Sequence, residues 1–167
     1  MYLGRMAEIP GRHVVLIGLR DIDIEPLRRL RPADWSTSQD WPVEPSNAQR
    51  YGIWHGQRLV GFIQSSEETD PQFRHAGIDI FLARGSQGQG LGTDAVHTLA
   101  SHLVHSGGHH RLVIDPLADN FAAIRCYEKV GFRPVGTLRQ YQYDFTTRRW
   151  RDGLLMELLA DALPLHV

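Results

Sequence analysis

The feature that most constrains this chain is a glycine-rich turn, residues 86–93, between a strand pattern and a helix pattern. Residues 78–83 are rich in β-branched and aromatic side chains and end at Arg84-Gly85, which predicts a strand. Apolar residues then recur at helical spacing over 95–104, which predicts a helix. Glycines at this junction let backbone N–H groups and the positive end of the helix dipole point at an anion. The turn is therefore predicted to bind a pyrophosphate, although an ordinary turn before a helix also uses glycine.

The spacing within the turn excludes two common phosphate-binding motifs. A dinucleotide fold places G-x-G-x-x-G early in the chain with an acidic residue about 20 positions later, and a P-loop has G-x-x-x-x-G-K-[ST]. Neither pattern occurs here. The turn instead has Gln-x-x-Gly-x-Gly, from Gln87 to Gly92, in the middle of the chain.

Composition limits the class of protein. With 167 residues, 42% hydrophobic content, 22% charged content and a net charge of -1, the chain is expected to form one globular domain, 1–167. It lacks the basic balance that binds nucleic acid. We find neither a signal-peptide pattern nor a run of 18 apolar residues, so we expect a cytoplasmic protein that does not bind a membrane.

Elsewhere the apolar pattern predicts an alternation of strands and helices. Strands are expected at 13–20, 48–55, 58–66, 78–83, 111–116, 132–138 and 154–159, and helices after Asp21 or Asp23, after the glycine-rich turn and over 122–129. The connection between the last two strands is expected to hold Tyr141, Tyr143, Phe145 and Trp150.

Several residues suggest ligand binding but have ordinary alternatives. Trp35 and Trp41 lie in a polar segment, where they form a binding wall or pack beneath the loop. The acidic residues between the hairpin and Pro71 are also typical of a solvated turn. Cys126 fits a small core residue better than a nucleophile, because no neighbouring base is identifiable.

Asp115 follows a short buried strand, at the sheet edge where ligands of open α/β sheets bind. Five histidines cluster on or just after the helix that follows the turn, but no Cys, Asp or Glu completes a metal-ligand set there. We expect a solvated or partner-facing helix and no metal site. These histidines are His97, His102, His105, His109 and His110.

Together with residues 120–132, Asn-x6-Tyr-Glu-Lys-Val-Gly-Phe, the glycine-rich turn resembles the signature of the GCN5-related N-acetyltransferases. The resemblance implies an α/β (α+β) fold with a central mixed, mostly antiparallel sheet of about six to seven strands flanked by helices. The fourth and fifth strands splay apart and receive the pantetheine arm of acetyl-CoA, and the acceptor amine enters from the opposite side. The family forms monomers or homodimers.

Within this family the chain looks like the aminoglycoside 6′-N-acetyltransferases, because of Glu-Glu-Thr-Asp-Pro at 67–71, Gly-Ile-Asp at 77–79 and Ala-Ile-Arg-Cys-Tyr-Glu-Lys at 123–129. The resemblance implies that Asp79 contacts the reactive amine, with a possible role as general base, and that Tyr127 protonates the leaving thiolate. It also implies that Asp115 binds the aminocyclitol and Asp152 binds amines. A polycationic acceptor suits several carboxylates. A backbone N–H near residues 80–82 is expected to stabilise the oxyanion.

The expected sites comprise two overlapping sets. The residues expected to bind acetyl-CoA are Ile80, Phe81, Leu82, Gln87, Gly88, Gln89, Gly90, Leu91, Gly92, Thr93, Asn120, Ala123 and Tyr127. The residues expected to bind the acceptor are Trp35, Trp41, Glu67, Glu68, Asp70, Asp79, Asp115 and Asp152.

Two departures from the resemblance stand out. Close members of the family carry an insertion with paired tryptophans before the Glu-Glu-Thr-Asp-Pro segment, where this chain has only Gln64-Ser65-Ser66, and Gln89 stands where a basic residue is common. Two other functions stay open. In the first, the chain acetylates a different amine, on a siderophore lysine, a polyamine or a protein. In the second, it is an acetyl-CoA sensor without turnover.

Overall fold

The computed structural model describes residues 7–33, 35 and 47–165, which form one sheet with helices on both faces and so confirm the expected α/β class. The strands are β1 (Glu8–Pro10), β2 (Val15–Gly18), β3 (Ala48–His55), β4 (Arg58–Glu68), β5 (His75–Leu82), β6 (Arg111–Ile114), β7 (Arg133–Asp144) and β8 (Arg149–Leu159). The helices are α1 (Asp21–Leu30), α2 (Leu91–His105) and α3 (Phe121–Val130). None of these helices is long and apolar enough to cross a membrane.

The sheet is mixed and almost wholly antiparallel. Its strand order is β1-β2-β3-β4-β5-β6-β8-β7, and only β5 and β6 run parallel. The eighth strand, beyond the six to seven expected, is the short β1 at the edge next to β2. The expected hairpin is present as β3 and β4, with Gly56 at φ 58° in its turn.

The parallel strands β5 and β6 part after a short ladder. Their register is Ala76 with Leu112 and Gly77 with Val113, whereas β5 continues to Leu82. This is the splay expected between the fourth and fifth predicted strands. The gap opens towards the glycine-rich turn that follows β5.

The two faces of the sheet have separate cores. The larger core packs α2 and α3 on one face and includes Ile78, Leu99 and Tyr127. The smaller core packs α1 on the other face and includes Leu27 and Phe81. Because side chains alternate along a strand, Asp79 shares the α1 face with Phe81, and Ile78 and Ile80 lie on the opposite face.

The last two strands are longer than predicted. Tyr141 and Tyr143 lie in β7 and Trp150 in β8, so their placement in a connection is wrong, and only Phe145 lies between the strands. The register shifts between Leu138 and Gln142, which breaks the alternation by which a strand is recognised in sequence.

The expectation of solvated histidines is wrong for His109. Its ring is buried at 1% exposure, and its Nε2 lies 3.0 Å from Glu67 Oε1. His97 is bonded through Nε2 to the Pro164 carbonyl oxygen at 2.8 Å. Gly107 and Gly108 turn the chain after α2, with Gly108 at φ 66°, and His109 is buried after this turn. The spacing of residues along a helix does not predict this burial.

Candidate active site

Asp79 lies where β5 leaves β6, on the α1 face of the sheet. Its register partner on β4 is Gln64, whose Nε2 donates to Asp79 Oδ2 at 3.0 Å. Burial raises the pKa of the Asp79 carboxyl, and the hydrogen bond from Gln64 opposes that rise. A desolvated carboxylate of this kind attracts an amine and accepts a proton from it more readily than an exposed aspartate does.

Asp115 stands beside Asp79 across the gap. The last register pair between β5 and β6 is Gly77 with Val113. Asp79 lies two residues after Gly77, and Asp115 lies two residues after Val113. Both carboxylates therefore leave the sheet at the same level and on the same face. The Tyr141 hydroxyl donates to Asp115 Oδ2. Burial raises the pKa of Asp115, the hydrogen bond from Tyr141 lowers it, and the negative charge of Asp79 raises it further. The pair forms an anionic site suited to amines.

Tyr127 approaches the gap from α3, on the other face. Burial raises the pKa of its phenol, and the charges of Cys126, Asp79 and Asp115 raise it further, so the hydroxyl holds its proton across the physiological range. Tyr127 therefore carries a proton at the gap, and its role in protonating the leaving thiolate stays a prediction. Its ring packs edge-on against Phe132 at a centroid distance of 6.4 Å.

The glycine-rich turn has the geometry of an anion site. Gly88 and Gly90 have φ of 74° and 79°, and a β-carbon at either would meet nothing within 4 Å, so the space above the turn is open. Gly90 caps α2 without a side-chain hydrogen bond, which leaves the first amides of α2, at Leu91 and Gly92, to point at a ligand. These features fit the pyrophosphate of acetyl-CoA.

The glutamine side chains of the turn brace the loop. Gln87 Nε2 donates to the Leu82 carbonyl at 3.1 Å, and Gln89 Nε2 donates to the Gly85 carbonyl at 2.9 Å. Gln89, which stands where a basic residue is common, thus stabilises the loop from within. The backbone amides keep their role towards the anion.

The backbone of β5 serves the gap. Because the Ala83 amide donates to the Val60 carbonyl, the antiparallel ladder directs the amides of Phe81 and Asp79 towards β4. The amides of Ile80 and Leu82 alternate with them and face the gap beyond the end of the β6 ladder. Stabilisation of an oxyanion by the Ile80 N–H stays a prediction that this direction allows. Because the Phe81 ring is buried and its amide faces β4, cofactor binding by Phe81 stays a prediction without support from its geometry.

Three residues near α3 have partners within the protein. Asn120 Oδ1 accepts from the Ala123 amide at 3.2 Å and so caps α3. Thr93 Oγ1 lies 3.2 Å from Cys126 Sγ, and burial raises the pKa of this thiol. A protonated, packed thiol favours the core interpretation of Cys126 over the nucleophile. Cofactor binding by Asn120, Ala123 and Thr93 stays a prediction.

The acidic residues at the end of β4 and in the turn that follows it do not converge with Asp79. Glu67 pairs with Ala76 in the ladder, so its side chain lies on the α2 face, where it contacts His109. Glu68 accepts from the Asp70 amide, and Asp70 accepts from the Gln72 amide, both within the turn. Because the gap lies several residues further along the strands, acceptor binding by these carboxylates stays a prediction without support from their geometry.

The remaining acceptor candidates are Trp35, Trp41 and Asp152. Trp35 packs edge-on against Phe81 at 5.1 Å, and its indole N–H has no hydrogen-bond partner among the described residues. Trp35 therefore packs in the smaller core on the same face as Asp79. Trp41 lies outside the described residues. Asp152 Oδ1 accepts from the Gln140 amide at 2.8 Å.

Sequence reasoning missed two residues that contact the paired aspartates, Gln64 and Tyr141. The hairpin register could have revealed Gln64, because extending the β4–β5 pairing places it opposite Asp79. No such pattern exists for Tyr141, since the register shift before it hides its direction.

Comparison with known proteins supports this geometry. The model of the Acetyltransferase (GNAT) family matches residues 16–132. Over 73 residues the chain is 48% identical to the aminoglycoside N(6′)-acetyltransferase type 1 of Klebsiella pneumoniae, a segment that makes up 43% of this chain and 35% of that protein. The match therefore spans about a third of the length of this relative.

Solved structures share the whole fold at low identity. RimJ of Mycobacterium smegmatis, in complex with CoA-disulfide, superposes with a TM-score of 0.79 at 24% identity and covers 96% of this chain and 90% of its own. A chimera of the spermidine N-acetyltransferase SpeG from Vibrio cholerae and hSSAT gives 0.74 at 19% identity and covers 89% and 96%. At these identities the likeness shows the fold alone.

Proposed function

Because this chain belongs to the acetyltransferase (GNAT) family, we propose that it acetylates the 6′-amine of aminoglycoside antibiotics. Acetyl-CoA is the cofactor and supplies the acetyl thioester. The observation on which the proposal rests is the pair of half-buried carboxylates, Asp79 and Asp115, on the α1 face of the gap, where desolvation raises the pKa of both. The identity of 48% to an aminoglycoside acetyltransferase over part of the chain supports this acceptor class.

The roles of the residues follow from their positions. Asp79 holds the attacking amine and accepts its proton, a contribution of about 10²–10⁴-fold in rate for a well-placed base. The Ile80 N–H stabilises negative charge that develops on the acyl oxygen. Tyr127 Oη holds the proton that a departing thiolate requires. The acceptor binds from the α1 face while the cofactor occupies the α2 face, so transfer is direct within a ternary complex.

A linear polyamine is the second candidate, because two adjacent carboxylates also suit a flexible diamine. The identity of 48% to an aminoglycoside acetyltransferase over part of the chain favours the ringed acceptor over the linear one.

A thiol-release assay with acetyl-CoA separates the candidates. The panel is kanamycin, the 6′-hydroxyl aminoglycoside paromomycin, spermidine and a lysine peptide. We expect turnover with kanamycin and none with paromomycin. Turnover confined to spermidine would identify a polyamine as the acceptor instead of an aminoglycoside. Coenzyme binding without thiol release in the presence of any amine would indicate a sensor.

A further inference from the structure

Tyr141 is an exposed residue of the edge strand β7 whose hydroxyl nevertheless reaches into the anionic site. We propose that Tyr141 is a positioning residue that orients Asp115 towards a second cationic group of the acceptor. The inference rests on the proposed function. It assigns part of the acceptor specificity to the β7–β8 hairpin.

A bulge in β7 directs Tyr141 to this position. Leu138 pairs with Gly153 and Gln142 with Arg151, so residues 139–141 stand opposite Asp152 alone. Gln140 has a φ of 50°, and its amide is held by Asp152 Oδ1 at 2.8 Å. A left-handed glutamine needs such support. Asp152 therefore stabilises the bulge.

Gly153 makes room for the tyrosine ring. A β-carbon at Gly153 would lie 2.8 Å from Tyr141 Cδ1, closer than carbon atoms can approach. The ring therefore lies directly over the Gly153 backbone, with its hydroxyl on Asp115 Oδ2. The bulge and the glycine both serve to bring this hydroxyl to this carboxylate.

The hydrogen bond from Tyr141 affects both the orientation of the Asp115 carboxylate and its ionisation. The bond from Tyr141 to Oδ2 and a backbone hydrogen bond from the amide of Asp115 itself together fix the orientation of the carboxylate. Asp115 also interacts with two other titratable groups, Asp79 on β5 and Tyr127 on α3, and burial and Asp79 both raise its pKa. On the same face of β6, Arg111 is engaged with Glu157 on β8 at 2.9 Å. Tyr141 thus favours the ionised form of Asp115.

The first test is steady-state kinetics of Tyr141→Phe, with Tyr143→Phe as the matched control. Tyr143 lies two residues further along β7, and its ring packs on Phe145 and Trp150 at 5.1 Å and 5.4 Å. For any amine that the wild type acetylates, Tyr141→Phe should raise the acceptor KM about tenfold, as loss of a hydrogen bond to a charged group predicts. The acid limb of kcat/KM should move to higher pH, and the KM for acetyl-CoA should not change.

The second test needs no turnover. The carboxyl carbon of Asp115 is identified in NMR spectra by its loss in Asp115→Asn, and its titration is followed in wild type and in Tyr141→Phe. The pH midpoint of the Asp115 titration should rise in Tyr141→Phe and should be unchanged in Tyr143→Phe. Gly153→Ala, which displaces the ring, should reproduce the effect of Tyr141→Phe on both the midpoint and the acceptor KM.

The two tests separate the inference from the proposed function. An unchanged Asp115 midpoint, or an acceptor KM equal to that of Tyr143→Phe, overturns the role of Tyr141. If the midpoint shifts but no amine is acetylated, the positioning of Asp115 stands and the proposed function fails.

Discussion

Asp79 and Asp115 combine two opposing requirements in one place. Burial makes each carboxylate a stronger attractor of cations but also makes its ionised form costly. Gln64 and Tyr141 offset that cost with one hydrogen bond each, on opposite sides of the gap. At the scale of the residue, the site is a balance between desolvation and a small number of donors.

Asp79→Asn tests the base. The amide keeps the size of the side chain and still accepts from Gln64, but it cannot take a proton from the amine. We expect kcat to fall by about 10²–10⁴-fold while the Kd for acetyl-CoA, measured by calorimetry, is unchanged. Turnover at the wild-type rate would remove Asp79 from the mechanism.

The same variant should be more stable than the wild type at neutral pH. Burial raises the folded-state pKa of Asp79, so the ionised carboxylate lowers stability once the pH rises above the unfolded-state pKa. Below the ordinary range of an aspartate pKa, both states are protonated and the difference should vanish. Melting temperatures of the two proteins across pH 3–8 check this sign, and an equal difference at every pH would contradict it.

At the scale of the element, α2 has two functions at its N-terminus. Its first amides face the ligand, while Asp94, in the same turn, accepts hydrogen bonds from the amides of Arg12, His13 and Val14 at 3.0, 2.6 and 2.9 Å. This buried carboxylate ties the start of β2 to the helix. The helix is therefore fixed to the sheet at the end where it meets the cofactor.

Gly90→Ala should weaken cofactor binding. A left-handed conformation costs a residue with a β-carbon roughly 1–2 kcal/mol, which the loop relieves by moving its amides. We expect the KM for acetyl-CoA to rise about tenfold. Gly85→Ala, in the same loop without a positive φ and with no atom within 4 Å of the added carbon, is the control and should behave like the wild type.

Asp94→Ala should lower stability by about 1–3 kcal/mol, because three amides lose their acceptor. For a domain of this size the melting temperature falls by roughly 2–4 °C per kcal/mol. The exposed Asp161 gives the control, and Asp161→Ala should change the melting temperature little. Equal melting temperatures for the two variants would show that Asp94 does not anchor β2.

At the scale of the whole molecule, the sheet is held together by antiparallel ladders on both sides of one short parallel contact. The β5–β6 ladder is the shortest in the sheet, with two register pairs. A cofactor bound in the gap contacts both halves. Ligand binding and global stability are therefore coupled.

Acetyl-CoA should raise the melting temperature markedly. At one hundred times its Kd, a ligand that binds only the folded state stabilises it by about 2.7 kcal/mol, which corresponds to roughly 5–10 °C here. Gly90→Ala should need a higher acetyl-CoA concentration for the same shift. A melting temperature independent of acetyl-CoA would contradict cofactor binding in the gap.

The sequence predicts the architecture well because it depends on local patterns. The Gln87 to Gly92 turn sits at a strand-to-helix junction, and Asp115 follows a strand that its apolar pattern predicts. Asp79 lies within β5, and only the resemblance to the acetyltransferase family singles it out. The contact of Tyr141 with Asp115 is not predicted, because a bulge in β7 changes the direction of its side chain. The burial of His109 is not predicted, because the glycine turn after α2 redirects the chain. Glu67 was grouped with its acidic neighbours, but alternation along β4 places it on the opposite face.

The alternation along β5 separates the side chains on the α1 face from the main-chain amides that face the gap. The side chain of Asp79 lies on the α1 face, whereas the main-chain amides of Ile80 and Leu82, which are the same for almost any sequence, face the gap. Substitutions on the α1 face can therefore accumulate without altering these amides. An acetyltransferase built in this way can acquire a new acceptor amine while its acetyl donor stays the same.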